Sequence, residues 1–279
     1  ERETGANYAV RAIAADGVQG RVFGTLPPLV LSRPATFGLF GVDSWNTFIP
    51  LRYAQLAAGK VDIDPKTHSV DTAILASAGR ARLARLRYAF ITPMQAIGLR
   101  RARPFETVVG FGDTMLYRDP GSLPRVFIAP RAAGIPDPAA RLAQIDAPGF
   151  DPLQDVILEQ APTLPAGGGT GTAEVLTNSP NRLEIEALTS GDSWLVVLDQ
   201  WHPGWHATVD GRPAEVLVAD HAFRAVRLGG GRHRVVMTYH PTPLFAGAAI
   251  TALTLLCAAA TLVILKRRER AALSGPIRR

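Results

Sequence analysis

Between residues 174 and 239 apolar and polar side chains alternate with a period of two. Leu183, Ile185 and Ala187 interleave with Arg182, Glu184 and Glu186, so a strand here carries one apolar and one charged face. Residues 194–198 are uniformly apolar, the pattern of a strand covered on both sides. Thr208-Val209 followed by Asp210-Gly211 predicts a hairpin, because that dipeptide suits a type I′ turn. Val235, Met237 and Tyr239 form the inward face of a last strand after Gly229-Gly230-Gly231. Short strands in succession with no helix between them predict an antiparallel β-sandwich of about ninety residues. It covers 173–240, or begins at 153 if an earlier strand joins.

The pattern then changes completely. Residues 243–265 contain no charged side chain, and Thr251, Thr254 and Thr261 can return their hydroxyls to a helix backbone. A helix rising ~1.5 Å per residue needs about 20 residues to cross the hydrocarbon core, so this stretch is long enough. It stops at Lys266, Arg267, Arg268 and Arg270. Basic residues beside a span are retained in the cytoplasm. Residues 1–242 are therefore expected outside the cytoplasmic membrane of a bacterium and the tail, 266–279, inside. With the last strand ending close to the span, the sandwich is expected near the bilayer. The opening Glu1-Arg2-Glu3 has neither an initiator methionine nor a signal-peptide pattern. Export is expected to depend on upstream sequence, with this chain the C-terminal piece of a multi-pass protein.

Residues 1–135 mix both periods. Strands are predicted at 20–23, 87–92, 107–111, 114–117 and 123–129, with the third and fourth forming a hairpin around Gly112-Asp113. Helices are predicted at 48–58, closed by Gly59, and from Ser69 through Ala81. Residues 136–172 read as a linker holding a short helix at 137–144 and a Gly- and Pro-rich loop at 162–171. That loop lacks the lysine and the strand-to-helix turn of a phosphate-binding loop. The fold class is thus α+β: a mixed α/β extracytoplasmic region, an antiparallel sandwich and one C-terminal transmembrane helix.

Charge narrows the function. The net charge is +6, but the tail after the apolar run carries five of those six charges, so the body is nearly neutral. A nucleic-acid partner is not expected from that distribution. The single cysteine, Cys257, lies inside the apolar run, where it forms no internal disulfide and reads as a packing residue.

The stretch Trp194-Leu-Val-Val-Leu-Asp-Gln-Trp-His-Pro-Gly-Trp-His-Ala-Thr-Val-Asp-Gly211 resembles a C-terminal signature of YfhO-type bacterial membrane proteins. Asp220-His-Ala-Phe-Arg-Ala-Val, the Gly-Arg-His-Arg-Val strand and the immediate span fit the same family. So do Leu86-Arg-Tyr-Ala-Phe-Ile-Thr and Leu116-Tyr-Arg-Asp-Pro-Gly-Ser-Leu-Pro-Arg-Val-Phe127, in order and spacing. The resemblance implies a parent protein similar to GT-C glycosyltransferases, which move sugar from a polyprenyl-phosphate carrier to an envelope acceptor such as teichoic acid. It also implies a catalytic carboxylate in the first external loop, near the family's N-terminus and outside this chain. No catalytic residue is therefore assigned, and this chain alone is expected to be inert. The implied partners are the bilayer, the parent's upstream spans and an envelope glycan or lipid-linked sugar. No cofactor is expected in this chain; the sugar donor belongs to the parent. The other reading is a non-enzymatic, membrane-anchored glycan-binding or scaffold module of the cell envelope.

Three sets of residues are candidates for binding. Trp201 and Trp205 offer faces for sugar rings, and Asp199 can accept hydrogen bonds from hydroxyls; the competing role is packing at the end of the sandwich or against lipid headgroups. Arg80, Arg82, Arg85, Arg87, Arg100, Arg101 and Arg103 cluster in sequence. Of these, Arg80, Arg82, Arg100, Arg101 and Arg103 are candidates for lipid-phosphate or anionic-headgroup contact, against a solvated helix face. His202 and His206 are four apart, but Pro203-Gly204 between them rules out the helical geometry of a ligand pair, so no metal is expected. Asp43, beside Trp45 and Asn46, reads as a turn residue, and no Gly-x-Ser-x-Gly nucleophile elbow occurs.

Overall fold

The computed structural model describes residues 13, 15–16, 21–24, 40–41, 50–63, 72–94, 96–97, 105–111, 114–160 and 168–273. The chain divides into two units, 1–238 and 239–279.

Three sheets build the first unit. The first takes β1 (Arg21–Gly24), β2 (Phe40–Gly41), β3 (Leu86–Ile91), β4 (Glu106–Phe111) and β5 (Thr114–Arg118) in the order β2-β1-β3-β5-β4. Its β1 pairs run parallel and the rest antiparallel. Helix α1 (Leu51–Ala58) ends as predicted at Gly59, whose φ of 67° accommodates the left-handed cap. The helix expected from Ser69 through Ala81 is broken. A 3-10 turn (Thr72–Ala76) gives way to α2 (Ala78–Leu83), and the Ser77 side chain caps α2 by accepting from Arg80 N. A serine offering its oxygen to the next turn favours a helix start over a helix interior.

The other two sheets form the sandwich. Strands β6 (Val126–Ala129) and β7 (Arg131–Gly134) come first, then α3 (Pro138–Asp146), β8 (Asp155–Leu158), β9 (Gly171–Ser179), β10 (Arg182–Thr189) and β11 (Ser193–Val197). Next come β12 (Trp205–Val209), β13 (Arg212–Ala214), β14 (Leu217–Ala219), β15 (Phe223–Leu228) and β16 (Gly231–Tyr239). The outer sheet is β13-β12-β16-β10-β9 and the central one β6-β11-β15-β14-β8-β7, the latter with one parallel pair, β7 with β8. Sequence places a boundary near residue 135 and a linker at 136–172, or a sandwich that begins at 153; the central sheet includes a strand after 153 and also two strands before the boundary. It takes β6 and β7 from before the boundary and β8 from within the linker. A short four-residue strand such as Asp155–Leu158 carries too little alternation to be read as one from its pattern alone. At 171–179 a long strand, β9, begins where the Gly- and Pro-rich loop was expected to end; residues 162–167 of that loop lie outside the described residues.

Alternation decides what each face touches. Leu183, Ile185, Ala187, Val235 and Met237 of the outer sheet meet Val126, Ile128, Leu195, Val197, Val226 and Leu228 of the central one. The opposite parity, Phe127, Ala129, Trp194, Val196, Phe223 and Ala225, packs into a second core with α1, α2, α3 and the first sheet. The central sheet is thus buried on both faces, which is why residues 194–198 are apolar without interruption. The outer sheet turns its charged parity outward, where Arg182 and Arg234 cover Glu184 from both sides and leave it buried. At the β12–β13 hairpin Asp210 and Gly211 have φ of 52° and 79°, the two left-handed residues a type I′ turn requires.

The second unit holds α4 (Thr242–Leu273), apolar on all sides from Gly247 to Leu265 and long enough to cross a membrane. Thr251, Thr254 and Thr261 donate to the carbonyls four residues back, as anticipated.

Candidate binding cleft

Register in the central sheet brings a charged trio together. Val197 of β11 lies opposite Val126 on one side and Arg224 on the other. Asp199, two residues beyond Val197, therefore falls between Arg125, just before β6, and Arg224, the second residue of β15. Arg125 donates from Nε at 3.0 and 3.2 Å and from Nη2 at 2.6 Å, and Arg224 donates from Nη2 at 3.0 Å. Arg21 adds a further cation, donating to the Leu198 carbonyl at 3.4 Å. Burial raises the Asp199 pKa, but the hydrogen bond and charge of Arg125, with the charges of Arg224 and Arg21, outweigh it and hold the carboxyl below its usual value. Burial pulls Arg224 down to about 10, partly offset by Asp199. The Arg224 guanidinium lies 4.0 Å from the centre of the Trp205 ring, a cation–π stack that holds the indole.

Beside this trio lies an open cleft of about 330 Å³, lined by Arg125, Asn178, Ser179, Pro180, Leu183, Asp199 and Trp205. The β9–β10 turn supplies the amide and hydroxyl, β12 the indole and the central sheet the charges. A partly exposed aromatic ring beside amide, hydroxyl and charged hydrogen-bonding groups is the chemistry that ring-stacked, hydroxyl-rich ligands use.

The sequence candidates separate. Asp199 and Trp205 meet in the cleft, whereas Trp201 does not line it. Its indole N–H donates to the Val216 carbonyl at 3.4 Å, and the Arg52 guanidinium of α1 sits 5.4 Å from its ring centre. Arg52 in turn pairs with Glu159, which also takes Arg141. His202 Nδ1 accepts from Gly204 N at 3.1 Å within the turn before β12. Among the described residues no three His, Cys, Asp or Glu side chains gather as a metal site.

The basic cluster also divides. Arg80 is buried, donating to Asp146 at 2.8 Å and to the Ala57 carbonyl at 3.0 Å, so its charge is engaged inside the fold and is not presented to a headgroup. Arg82 pairs with Asp151 at 3.0 Å and Arg87 with Asp16 at 2.8 Å. Arg85 is buried with a left-handed φ of 59°, and burial followed by Arg21 lowers its pKa to about 10. Arg100, Arg101 and Arg103 lie outside the described residues, as do Asp43, Trp45 and Asn46. Lys266, Arg267 and Arg268 are exposed at the end of α4, and Arg270 continues the same helix.

Arg125, Arg224, Asn178 and Ser179 are not singled out by the sequence. For Arg224 a signal existed: an arginine set directly between Phe223 and Ala225 in a largely apolar strand has to find a buried partner. Nothing in the pattern connects Arg125 or the β9–β10 turn to Asp199, because only strand order does so.

Residues 172–251 match the family described as bacterial membrane protein YfhO. The match covers less than a third of the chain, which over this stretch is similar to YfhO-type proteins. The match runs from β9 into the first part of α4 and so takes in the outer sheet, β11, β14, β15 and the start of the apolar helix. Asp199, Trp205 and Arg224 fall inside the YfhO match and Arg125 outside it. The chain is that of a membrane protein with α4 as a membrane-spanning candidate. No curated protein and no solved structure matches the chain.

Proposed function

We propose that this chain is the extracytoplasmic end of a GT-C-like membrane glycosyltransferase, and that its cleft holds the saccharide acceptor. In this reading the parent's upstream spans carry the catalytic carboxylate and bind the polyprenyl-phosphate-sugar donor. The chain is part of a multi-pass protein with residues 1–242 outside the cytoplasmic membrane and 266–279 inside. The observation that supports the reading best is the cleft itself, with Trp205 held by Arg224 beside Asn178, Ser179 and Asp199. A ring fixed by a buried cation is pre-organised to stack on a sugar, so little is lost on binding.

The test is binding of envelope-derived oligosaccharides to the full chain in detergent, comparing wild type with Trp205→Ala. Loss of binding in a variant that keeps its circular-dichroism spectrum supports the cleft; equal binding by both proteins removes it. In membranes containing the parent protein, Trp205→Ala is expected to raise KM for the acceptor and leave KM for the donor unchanged.

The non-enzymatic reading, an anchored glycan-binding module, has one observation in its favour. Asp199, the cleft's carboxylate, is tied to two guanidinium groups and is a poor general base. Saccharide binding without any sugar transfer in parent membranes would establish it.

A further inference from the structure

Arg125 meets Asp199 with only one edge of its guanidinium. Nε and Nη2, the pair on the side of the group, both donate to the carboxylate. The other edge, made by Nη1 and the second Nη2 hydrogen, meets no acceptor among the described residues. The backbone here is fixed, since Leu198 N donates to the Arg125 carbonyl at 2.9 Å. The Arg125 side chain is 23% exposed and lines the cleft, so its unused edge is available to whatever enters. Two parallel N–H groups in one plane match the two oxygens of a carboxylate. Arg224, by contrast, is fully engaged: its nitrogens donate to the Asp199 carbonyl, the Asp199 carboxylate and Met237 Sδ.

Charge favours the same kind of ligand. Arg21, Arg125 and Arg224 all act on Asp199, the one carboxylate that lines the cleft. Arg21 donates only to neutral acceptors, the Tyr53 hydroxyl and the Leu198 carbonyl, both at 3.4 Å. Three cations against one anion leave the cleft short of negative charge, which a neutral sugar does not supply. The anion also has to arrive on a ring. Trp205 offers a flat apolar face that a pyranose covers and an open-chain polyol phosphate does not. Asp199 Oδ2 accepts from both Arg125 Nη2 and Arg224 Nη2, so the open edge and the indole held by Arg224 are neighbours about one carboxylate. A carboxylate bonded directly to a ring carbon is positioned by the stacking of that ring. A phosphate spreads its oxygens tetrahedrally and is gripped best by donors from several directions, whereas the open edge of Arg125 lies in one plane.

We infer that the cleft takes a uronic acid residue, with its ring on Trp205 and its carboxylate on the outer edge of Arg125. Asn178 and Ser179 of the β9–β10 turn then remain for ring hydroxyls. The inference rests on the reading of the cleft as a saccharide site and adds the charge that the saccharide carries.

The test compares trigalacturonate with its methyl ester, which keeps the rings and removes the charge. Both are titrated calorimetrically into the full chain in detergent at physiological salt. The acid is expected to bind about tenfold more tightly than the ester. Arg125→Lys keeps a charge beside Asp199 but has no planar edge. It is expected to weaken the acid about fivefold and leave the ester unchanged. Trp205→Ala, with its circular-dichroism spectrum unchanged, is expected to lose both. Equal binding of acid and ester overturns the inference and leaves the saccharide cleft standing, whereas binding of neither removes both. Acid binding at full strength in Arg125→Lys overturns it too, because the planar edge then plays no part. Acid binding that survives in Trp205→Ala does the same, because the anion then sits elsewhere, as on the basic tail. So does a glycerol-phosphate oligomer that binds as tightly as the acid, because any anion then suffices.

Discussion

Two ion-pair systems lie on neighbouring sheets, built from the same residue types and unlike in environment. In the central sheet Asp199 binds Arg125 and Arg224, with the Arg224 side chain only 2% exposed and Asp199 19%. On the outer sheet Glu186 meets Arg232 across the β10–β16 ladder at 3.2 Å, with side chains 44% and 71% exposed. In water two such charges gain little from meeting, because each is already solvated. Inside the fold each has lost its water, and removing one strands the other. Arg224 therefore depends on Asp199 in a way that Arg232 does not depend on Glu186. The same contrast separates a residue that shapes a cleft from one that keeps a surface soluble.

The largest effect is expected at the centre. Asp199→Ala leaves Arg224 buried beneath Trp205 without its carboxylate and is expected to destabilise the first unit by about 3–5 kcal/mol. Urea unfolding of the full chain in detergent, followed by tryptophan fluorescence, measures it. Arg224→Met, which fills a similar volume without charge, is expected to cost less than Asp199→Ala, since an apolar replacement leaves no buried cation. A reversed order would mean that the hub works through Trp205 stacking and not through charge.

A second buried pair sharpens the contrast by titrating. Asp220 and His221 occupy the β14–β15 turn with left-handed φ of 46° and 72°, and both are buried. Asp220 Oδ1 accepts from Ile157 N at 2.9 Å, and His221 Nε2 meets Gln55 Oε1 at 3.0 Å. Oδ2 and Nδ1 have no partner among the described residues. Burial raises Asp220 to about 7, with the Ile157 N–H opposing. His221 falls to about 4 through burial, then the charges of Arg141 and Arg52, with Glu159 opposing. A raised acid stabilises the fold fully below its unfolded pKa and loses that contribution as pH rises towards 7. A depressed histidine loses its contribution as pH falls from about 6.5 to about 4. Between those limits the folded turn holds one proton on Asp220 and the unfolded chain one on His221, so the two slopes cancel. Asp220→Asn is expected to expose the histidine slope, with stability falling on acidification by up to about 1.4 kcal/mol per pH unit. His221→Gln is expected to expose the opposite slope. Denaturation midpoints from pH 4.5 to 6.5 decide it, and a pH-flat Asp220→Asn variant would exclude the compensation.

Helix capping gives an intermediate effect. Ser77→Ala removes the oxygen that accepts from Arg80 N at 3.2 Å and is expected to cost about 1 kcal/mol, read as a lower urea midpoint at constant slope.

Much of this fold is legible wherever one residue's neighbours in sequence are also its neighbours in function. Leu183, Ile185 and Ala187 announce their face, Asp210-Gly211 its turn, Gly59 its cap and residues 243–265 their length and apolarity. What escapes is carried by strand order. Phe127 and Ile128 belong to opposite faces of a sheet in which their own partner strand, β11, arrives about seventy residues downstream, so 126–134 reads as separate from the sandwich it completes. The site divides in the same way. Asp199 and Trp205 are visible as polar and aromatic residues in a motif, but Arg125 reaches Asp199 only because β6 and β11 are adjacent. Trp201 and Trp205, alike in sequence, part company because one faces Arg52 of α1 and the other Arg224 of β15. The Asp220-His221 turn hid for a different reason. Without glycine, nothing in the composition announces two consecutive left-handed residues.

The smallest expected effect tests the comparison most strictly, because it concerns the partner chosen for contrast. Arg232→Ala is expected to change stability by no more than about 0.5 kcal/mol, since both side chains of the pair remain solvated with or without each other. A double-mutant cycle with Glu186→Ala isolates the pair from changes in strand propensity, and its coupling is expected near zero and to vanish in high salt. A coupling as large as that between Asp199 and Arg224 would mean the outer face is not bathed in water in the assembled protein. The charged ladder would then be an interface, and the division between a buried hub and a solvated surface would have to be redrawn around it.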